Sequence, residues 1–182
     1  MSAANRGAVR NERDFYETPQ WAVGVVLDRV PLPLNVIDAG CGSWAIGREL
    51  VARGHSVVGY DLEAPPSPKG ALLITDDFLT RDIAAPGAAV VMNPPFKLAK
   101  EFIRKANSFT SGGTVCALLR LAFLGSSTKR IDLVGPGSTL RRVIVMARRP
   151  SFSGDGKTDA TDYAWFVWGP GEGPAEIEVV PR

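Results

Sequence analysis

The chain has 182 residues, 45% of them hydrophobic, and a mean hydropathy of +0.03; this describes one soluble globule with a sizeable core and too little chain for two full domains. No apolar run approaches the length of a membrane span, and the start Met1-Ser2-Ala3-Ala4-Asn5 lacks the apolar core of a signal peptide, so a cytoplasmic location is expected. The net charge of +2 conceals an asymmetry: positions 97 to 157 hold twelve basic residues and three acidic ones, a net of +9, which leaves the remainder acidic. A basic half suits a polyanionic partner, although a solvated charged surface reads the same way. Cys41 and Cys116 lie in apolar surroundings and the one histidine, His55, is near neither, so buried free thiols are expected rather than a disulfide or a metal site.

Met1 to Asp14 is polar, contains Arg6, Arg10 and Arg13, and is expected to be a flexible arm preceding a single domain over 15–182. Thr18 can cap a helix that Pro19 opens, with Trp21, Val25, Val26 and Val30 along one stripe and Pro31 and Pro33 ending it. Asn35 to Ala39 reads as the first strand, entering the loop Gly40-Cys41-Gly42-Ser43-Trp44, and Ala45 to Arg53 as a helix closed by Gly54. Strands follow at His55 to Tyr60, Ala71 to Thr75 and Ala88 to Met92. A helix is expected over Lys97 to Ser108 and a central strand over Thr114 to Leu119. Leu121 to Val134 reads as a helix with a loop, Arg142 to Ala147 and Tyr163 to Trp168 as a terminal strand pair, and Glu176 to Val180 as a possible short edge. The alternation points to a single three-layer α/β domain.

Asn93-Pro94-Pro95-Phe96 falls at the carboxyl end of an apolar strand, the edge where open α/β sheets bind ligands. Two prolines fix the backbone and remove two N–H donors, so the Asn93 side-chain oxygen and the Pro94 carbonyl form a rigid pair of acceptors beside the Phe96 ring. Such a pair suits the exocyclic amine of a flat base. A glycine loop after the first strand, with Asp61 placed 21 positions beyond Gly40, is the arrangement that holds an adenosine, and a nicotinamide cofactor would call for the same two features.

Taken together, these motifs resemble the S-adenosylmethionine-dependent amino-methyltransferases of the N6-adenine DNA class, particularly the short enzymes of bacteriophages and prophages with an NPPF motif. Thr18-Pro19 matches that family's N-terminal cofactor motif, Asp38-Ala39-Gly40-Cys41-Gly42 its glycine motif, Asp61 its ribose-binding acid, Asp77-Phe78 its adenine-binding pair and Asn93-Pro94-Pro95-Phe96 its catalytic motif. The late segment from Arg149-Pro150-Ser151-Phe152 to Trp168 is also similar, so the resemblance spans positions 15 to 168. It implies a Rossmann-like class I methyltransferase domain: a mostly parallel seven-stranded sheet with an antiparallel C-terminal strand pair. The chain is expected to depart from the family in having no separate target-recognition domain, since the residues after Phe96 are mostly taken up by the core sheet. Trp44 stands where a third glycine is common, which implies a bulkier loop.

The implied activity is transfer of a methyl group from S-adenosyl-L-methionine to N6 of a flipped adenine in DNA. Asn93, Pro94, Pro95 and Phe96 would form the catalytic site. Thr18, Asp38, Gly40, Gly42, Asp61, Asp77 and Phe78 would hold the cofactor, and Phe96 with Phe152 would stack the base. Lys97, Lys100, Arg120, Lys129, Arg130, Arg148 and Arg149 are the expected nucleic-acid contacts, on a monomer or weak dimer without a metal. The same chemistry on RNA, methylation of a glutamine amide in a ribosome-associated protein, and an inactive cofactor- or DNA-binding module are the alternatives.

Overall fold

The computed structural model describes residues 17–63, 65–82, 84–125, 127–152 and 160–181; the expected arm over 1–14 and most of the 153–161 loop lie outside them. Each apolar run becomes a strand: β1 Asn35–Ala39, β2 Ser56–Asp61, β3 Ala71–Thr75, β4 Ala89–Met92, β5 Val115–Arg120, β6 Leu140–Met146, β7 Tyr163–Trp168 and β8 Glu176–Val180. One sheet contains them all, in the order β3-β2-β1-β4-β5-β7-β6-β8. Only β7 runs antiparallel, to β5 on one side and β6 on the other. The sheet therefore has eight strands rather than the expected seven. The added strand pairs parallel to β6 from Arg142↔Glu176 to Met146↔Val180, and its exposed Ile177 and Val179 show why the sequence signal was weak: an edge strand buries too little to read as one.

Helices cover both faces. α1 (Gln20–Leu27) and α2 (Ala45–Ala52) pack with Val36, Val91, Leu118, Ile144 and Trp165 on one, while α3 (Ala99–Phe109) and the short α4 (Ile131–Val134) pack with Ile37, Val90, Ala117 and Phe166 on the other. α3 follows the helical stripe read from the sequence, burying Phe102, Ile103, Ala106 and Phe109. In the stretch read as a helix with a loop, Leu121–Leu124 and Thr128–Arg130 are 3-10 segments and only α4 is α-helical. Buried tryptophans tie the layers together through their indole N–H groups: Trp165 donates to the Ala22 carbonyl and Trp168 to that of Leu133, both at 2.7 Å. Both cysteines are buried free thiols. No helix is long and apolar enough to cross a membrane, among the described residues.

The parallel strands bring the carboxyl ends of β1, β2, β4, β5 and β6 to one edge, joined by the amino end of the reversed β7. That edge carries the sequence motifs.

Candidate active site

Asn93 leaves β4 directly after fully buried Met92, and its side chain is held from a distance of 75 residues: Nδ2 donates to Oγ1 of Thr18 at 3.0 Å. This bond fixes the amide plane and makes Oδ1 its acceptor end. Thr18, expected to cap α1, does not do so; Pro19 precedes the helix without a side-chain cap, and the buried Thr18 hydroxyl serves Asn93 instead. The Pro95 carbonyl accepts from Leu98 N–H at 2.9 Å, whereas no hydrogen bond from the described residues takes up the Pro94 carbonyl. A neighbouring amide oxygen and backbone carbonyl at a strand end can jointly grip an NH2 group.

Beside them lies an aromatic cluster. The Phe96 ring sits 5.9 Å from Tyr163, and Phe152 meets the same tyrosine edge-on at 4.9 Å. The structure thus gathers Phe96 and Phe152, and adds Tyr163, which sequence reasoning placed in a strand of the late segment but not at the site. Its pairing partner across the sheet is Arg120, whose Nε lies 3.4 Å from the tyrosine oxygen and whose guanidinium carbon stands 4.7 Å above the Phe96 ring centre. A correct register between β5 and β7 is the only signal that could have placed Tyr163 here.

The glycine loop is drawn tightly around two carboxylates. Gly40 and Gly42 take positive φ of 76° and 46°, open to glycine at little cost, and Gly42 N–H donates to Asp61 Oδ2 at 2.8 Å. Asp38 Oδ2 accepts from Gly47 N–H at 2.9 Å. Burial pushes the Asp38 carboxyl up to about 7; the Gly47 bond opposes the rise and the nearby Asp61 charge adds to it. Trp44 adopts a left-handed backbone with φ 66°, yet its ring does not crowd the loop. It is fully buried between α2 and β2, where a Cβ on Gly47 or Gly59 would come within 2.6 or 2.3 Å of it, and its indole N–H reaches the Pro65 carbonyl at 3.1 Å. The expected bulky loop is corrected: two glycines make room for the ring beneath it.

Asp77 follows β3 and closes its own turn, Oδ1 accepting from Leu79 N–H at 2.9 Å. Phe78 was expected to offer a face to the cofactor, but it is 2% exposed and packs among Tyr60, Phe102 and Phe109. Its neighbours commit it to the core.

The basic residues divide by position. Lys97, Arg120, Arg148 and Arg149 lie on the same edge as Asn93; Arg148 stacks 5.0 Å from Trp21 and Arg149 pairs with Asp162 at 2.8 Å. Lys100 pairs with Glu101, while Lys129 and Arg130 occupy the segment after β5, where Arg130 covers Phe123 and bonds the Ala122 and Gly125 carbonyls. No group of His, Cys, Asp and Glu able to hold a metal occurs among the described residues.

Strand order, reversed β7 and glycine loop together define the Rossmann-like fold of class I methyltransferases. A protein described as a class I S-adenosylmethionine-dependent methyltransferase from Listeria monocytogenes is similar over 94% of this chain and 68% of its own, with a TM-score of 0.66 at 14% identity. The 23S rRNA methyltransferase ErmE is similar over 88% and 71%, with a TM-score of 0.59 at 16% identity. A TehB-like SAM-dependent methyltransferase from Corynebacterium glutamicum is similar over 82% and 87%, at 0.54 and 15%. No protein-family model and no curated protein matches the sequence.

Proposed function

We propose that the protein transfers a methyl group from S-adenosyl-L-methionine to the exocyclic N6 of adenine in DNA. The observation that carries this reading is the Asn93 amide, oriented by Thr18 beside the Pro94 carbonyl on the sheet edge. The residues fit the cofactor: Asp38 and Asp61 hold two carboxylates at the glycine loop with no ion pair to either among the described residues, a set suited to a ligand carrying an ammonium and a sulfonium. Asp38 would orient the ammonium, Asp61 the ribose hydroxyls, and Gly40 and Gly42 would let the backbone approach. Thr18, accepting from Asn93, keeps its own O–H for the methionine carboxylate, and Asp77 Oδ2 can accept from the cofactor's adenine amine.

When bound, the cofactor supplies an electrophilic methyl on sulfur. Asn93 Oδ1 and the Pro94 carbonyl each accept one N6 hydrogen, which turns the nitrogen lone pair out of the ring's π system toward the methyl. They then stabilise the positive charge on nitrogen until its proton passes to water. Positioning supplies much of the remaining rate. Flipping the base costs a few kcal/mol, and stacking against Phe96 and Phe152 offsets part of that. The basic edge formed by Lys97, Arg120, Arg148 and Arg149 supports a polyanionic substrate. RNA is the second reading, favoured by the likeness to an rRNA methyltransferase.

The test is methyl transfer from labelled cofactor to unmethylated duplex DNA, with structured RNA and ribosomal protein in parallel, followed by digestion and mass spectrometry. N6-methyladenine from DNA that disappears with Asn93→Ala is expected. Label confined to RNA or protein, or no transfer despite bound cofactor, would overturn the assignment to DNA.

A further inference from the structure

The ring proposed to stack the target base is already covered. β4 and β5 pair in register at Met92↔Ala117, so Arg120, three residues further along β5, comes level with Pro95, next to Phe96. From there its guanidinium lies 4.7 Å over the Phe96 ring centre, with Nε 3.4 Å from Tyr163 Oη. A guanidinium is flat, delocalised and close in thickness to a nucleobase, and it stacks on aromatic faces as a base does. A base and the guanidinium cannot share that face.

We propose that Arg120 is a placeholder for the target base: its guanidinium covers Phe96 until an extruded base displaces it, and it then pairs with a phosphate flanking that nucleotide. This rests on the nucleobase reading above. Three features carry it. Arg120 is exposed at its strand end, outside the buried core. Stacking of a base on an aromatic ring is stronger than an exposed cation–π contact, so the Phe96 face itself favours the base. The freed cation is also tethered where a nucleotide held at Asn93 must present its phosphates, and an Arg–phosphate pair is bidentate and charge-assisted. The same residue then favours a base that arrives on a phosphate backbone over a free one.

The two halves of this exchange predict effects of opposite sign. With S-adenosylhomocysteine present, binding of deoxyadenosine and of deoxyadenosine 3′,5′-bisphosphate is measured for the wild type, Arg120→Ala and Arg120→Lys, with melting curves as a check on folding. Arg120→Ala is expected to bind deoxyadenosine about two- to fivefold more tightly, since the covering contact is gone. It should bind the bisphosphate about tenfold more weakly and lower the salt slope for an oligonucleotide by about 1. Arg120→Lys, with charge but no plane, should gain on the nucleoside while keeping most of the bisphosphate affinity. Shifts in the same direction for both ligands, or none, would overturn the placeholder and leave Arg120 as an ordinary phosphate contact. A wild type that takes neither ligand and methylates no nucleic acid overturns the underlying reading instead, and that failure shows in the wild-type arm alone.

Discussion

Asn93 and Thr18 are joined by a hydrogen bond, and in the proposed reaction one residue would accept from the substrate amine while the other sets its angle. Replacing Thr18 by Val keeps the volume and removes the Oγ1 acceptor, so the hydrogen bond that orients Nδ2 of Asn93 is lost. We expect kcat to fall about 10- to 100-fold, short of the loss at Asn93→Ala, because positioning fails while the acceptor stays present. Thr18→Ser should restore most of it; equal activity for the Val and Ser variants would remove Thr18 from this role. Asp38 carries a second prediction at this scale. Its carboxyl is raised from 3.8 to about 7 in the folded chain, so the native state holds that proton more tightly than the unfolded state does. The resulting stability is fully present below 3.8 and lost as pH rises to about 7, by at most roughly 4 kcal/mol. Asp38→Asn keeps an oxygen for Gly47 N–H and does not titrate, so the wild type should lose stability relative to it across that window, and S-adenosylhomocysteine, which carries an ammonium, should reduce the loss. Parallel pH profiles for the two proteins in melting experiments would contradict the burial argument. Both residues were legible as site candidates because their types sit in motifs. The Thr18–Asn93 bond was not, because it joins positions that only the fold brings together.

Among elements, the β1–α2 unit shows how packing answers a local exception. A tryptophan with φ 66° is strained at the backbone, and its buried ring offsets that strain by filling the space above Gly47 and Gly59. The indole bond to Pro65 then ties the proline-rich loop after β2 to the glycine loop. Gly59→Ala, whose new Cβ falls 2.3 Å from the ring, should cost about 1–3 kcal/mol by overpacking. In combination with Trp44→Gly the clash with the ring disappears and only the 2.9 Å approach to Cys41 Sγ remains, so the double variant should be more stable than the sum of the single losses allows. Additivity within about 0.5 kcal/mol in a double-mutant cycle would mean that ring and glycine do not meet as described. The strand–glycine loop–helix pattern was readable from residue types and period, since each part has its own local signal. Trp44 was misread as a crowding residue because a side chain's direction depends on what the neighbouring strand leaves empty, and Gly59 lies on β2, a different element. Phe78, buried in the core, shows the same limit: an aromatic beside a strand-end acid looks identical in sequence whether it faces ligand or core.

Across the whole molecule, the +9 stretch read from the sequence resolves into cations with different tasks. Some hold the fold: Arg142 donates to the Arg29 carbonyl and pairs with Glu178, which also takes Arg29, and these bonds lower the Glu178 carboxyl below its ordinary range. Arg104 is paired with Asp132, across from α3 to α4. Others stand on the edge with Asn93, and Arg148, exposed and stacked on Trp21, is the clearest of them. A linear count cannot separate the two sets, since strand direction alone decides which end of the sheet a residue reaches. If the edge receives a nucleic acid, each phosphate contact releases condensed counterions, and the salt dependence of binding counts those contacts. Arg148→Ala should therefore weaken oligonucleotide binding uniformly across sequences and lower the slope of log K against log salt by about 1. Arg142→Gln should lower the melting temperature instead and leave that slope unchanged, because its partners are Glu178 and a backbone carbonyl. Binding isotherms for both variants at four salt concentrations decide the matter: equal slopes for Arg148→Ala and wild type would place the polyanion elsewhere than on the edge that carries Asn93, and a reduced slope for Arg142→Gln would break the division between the two sets.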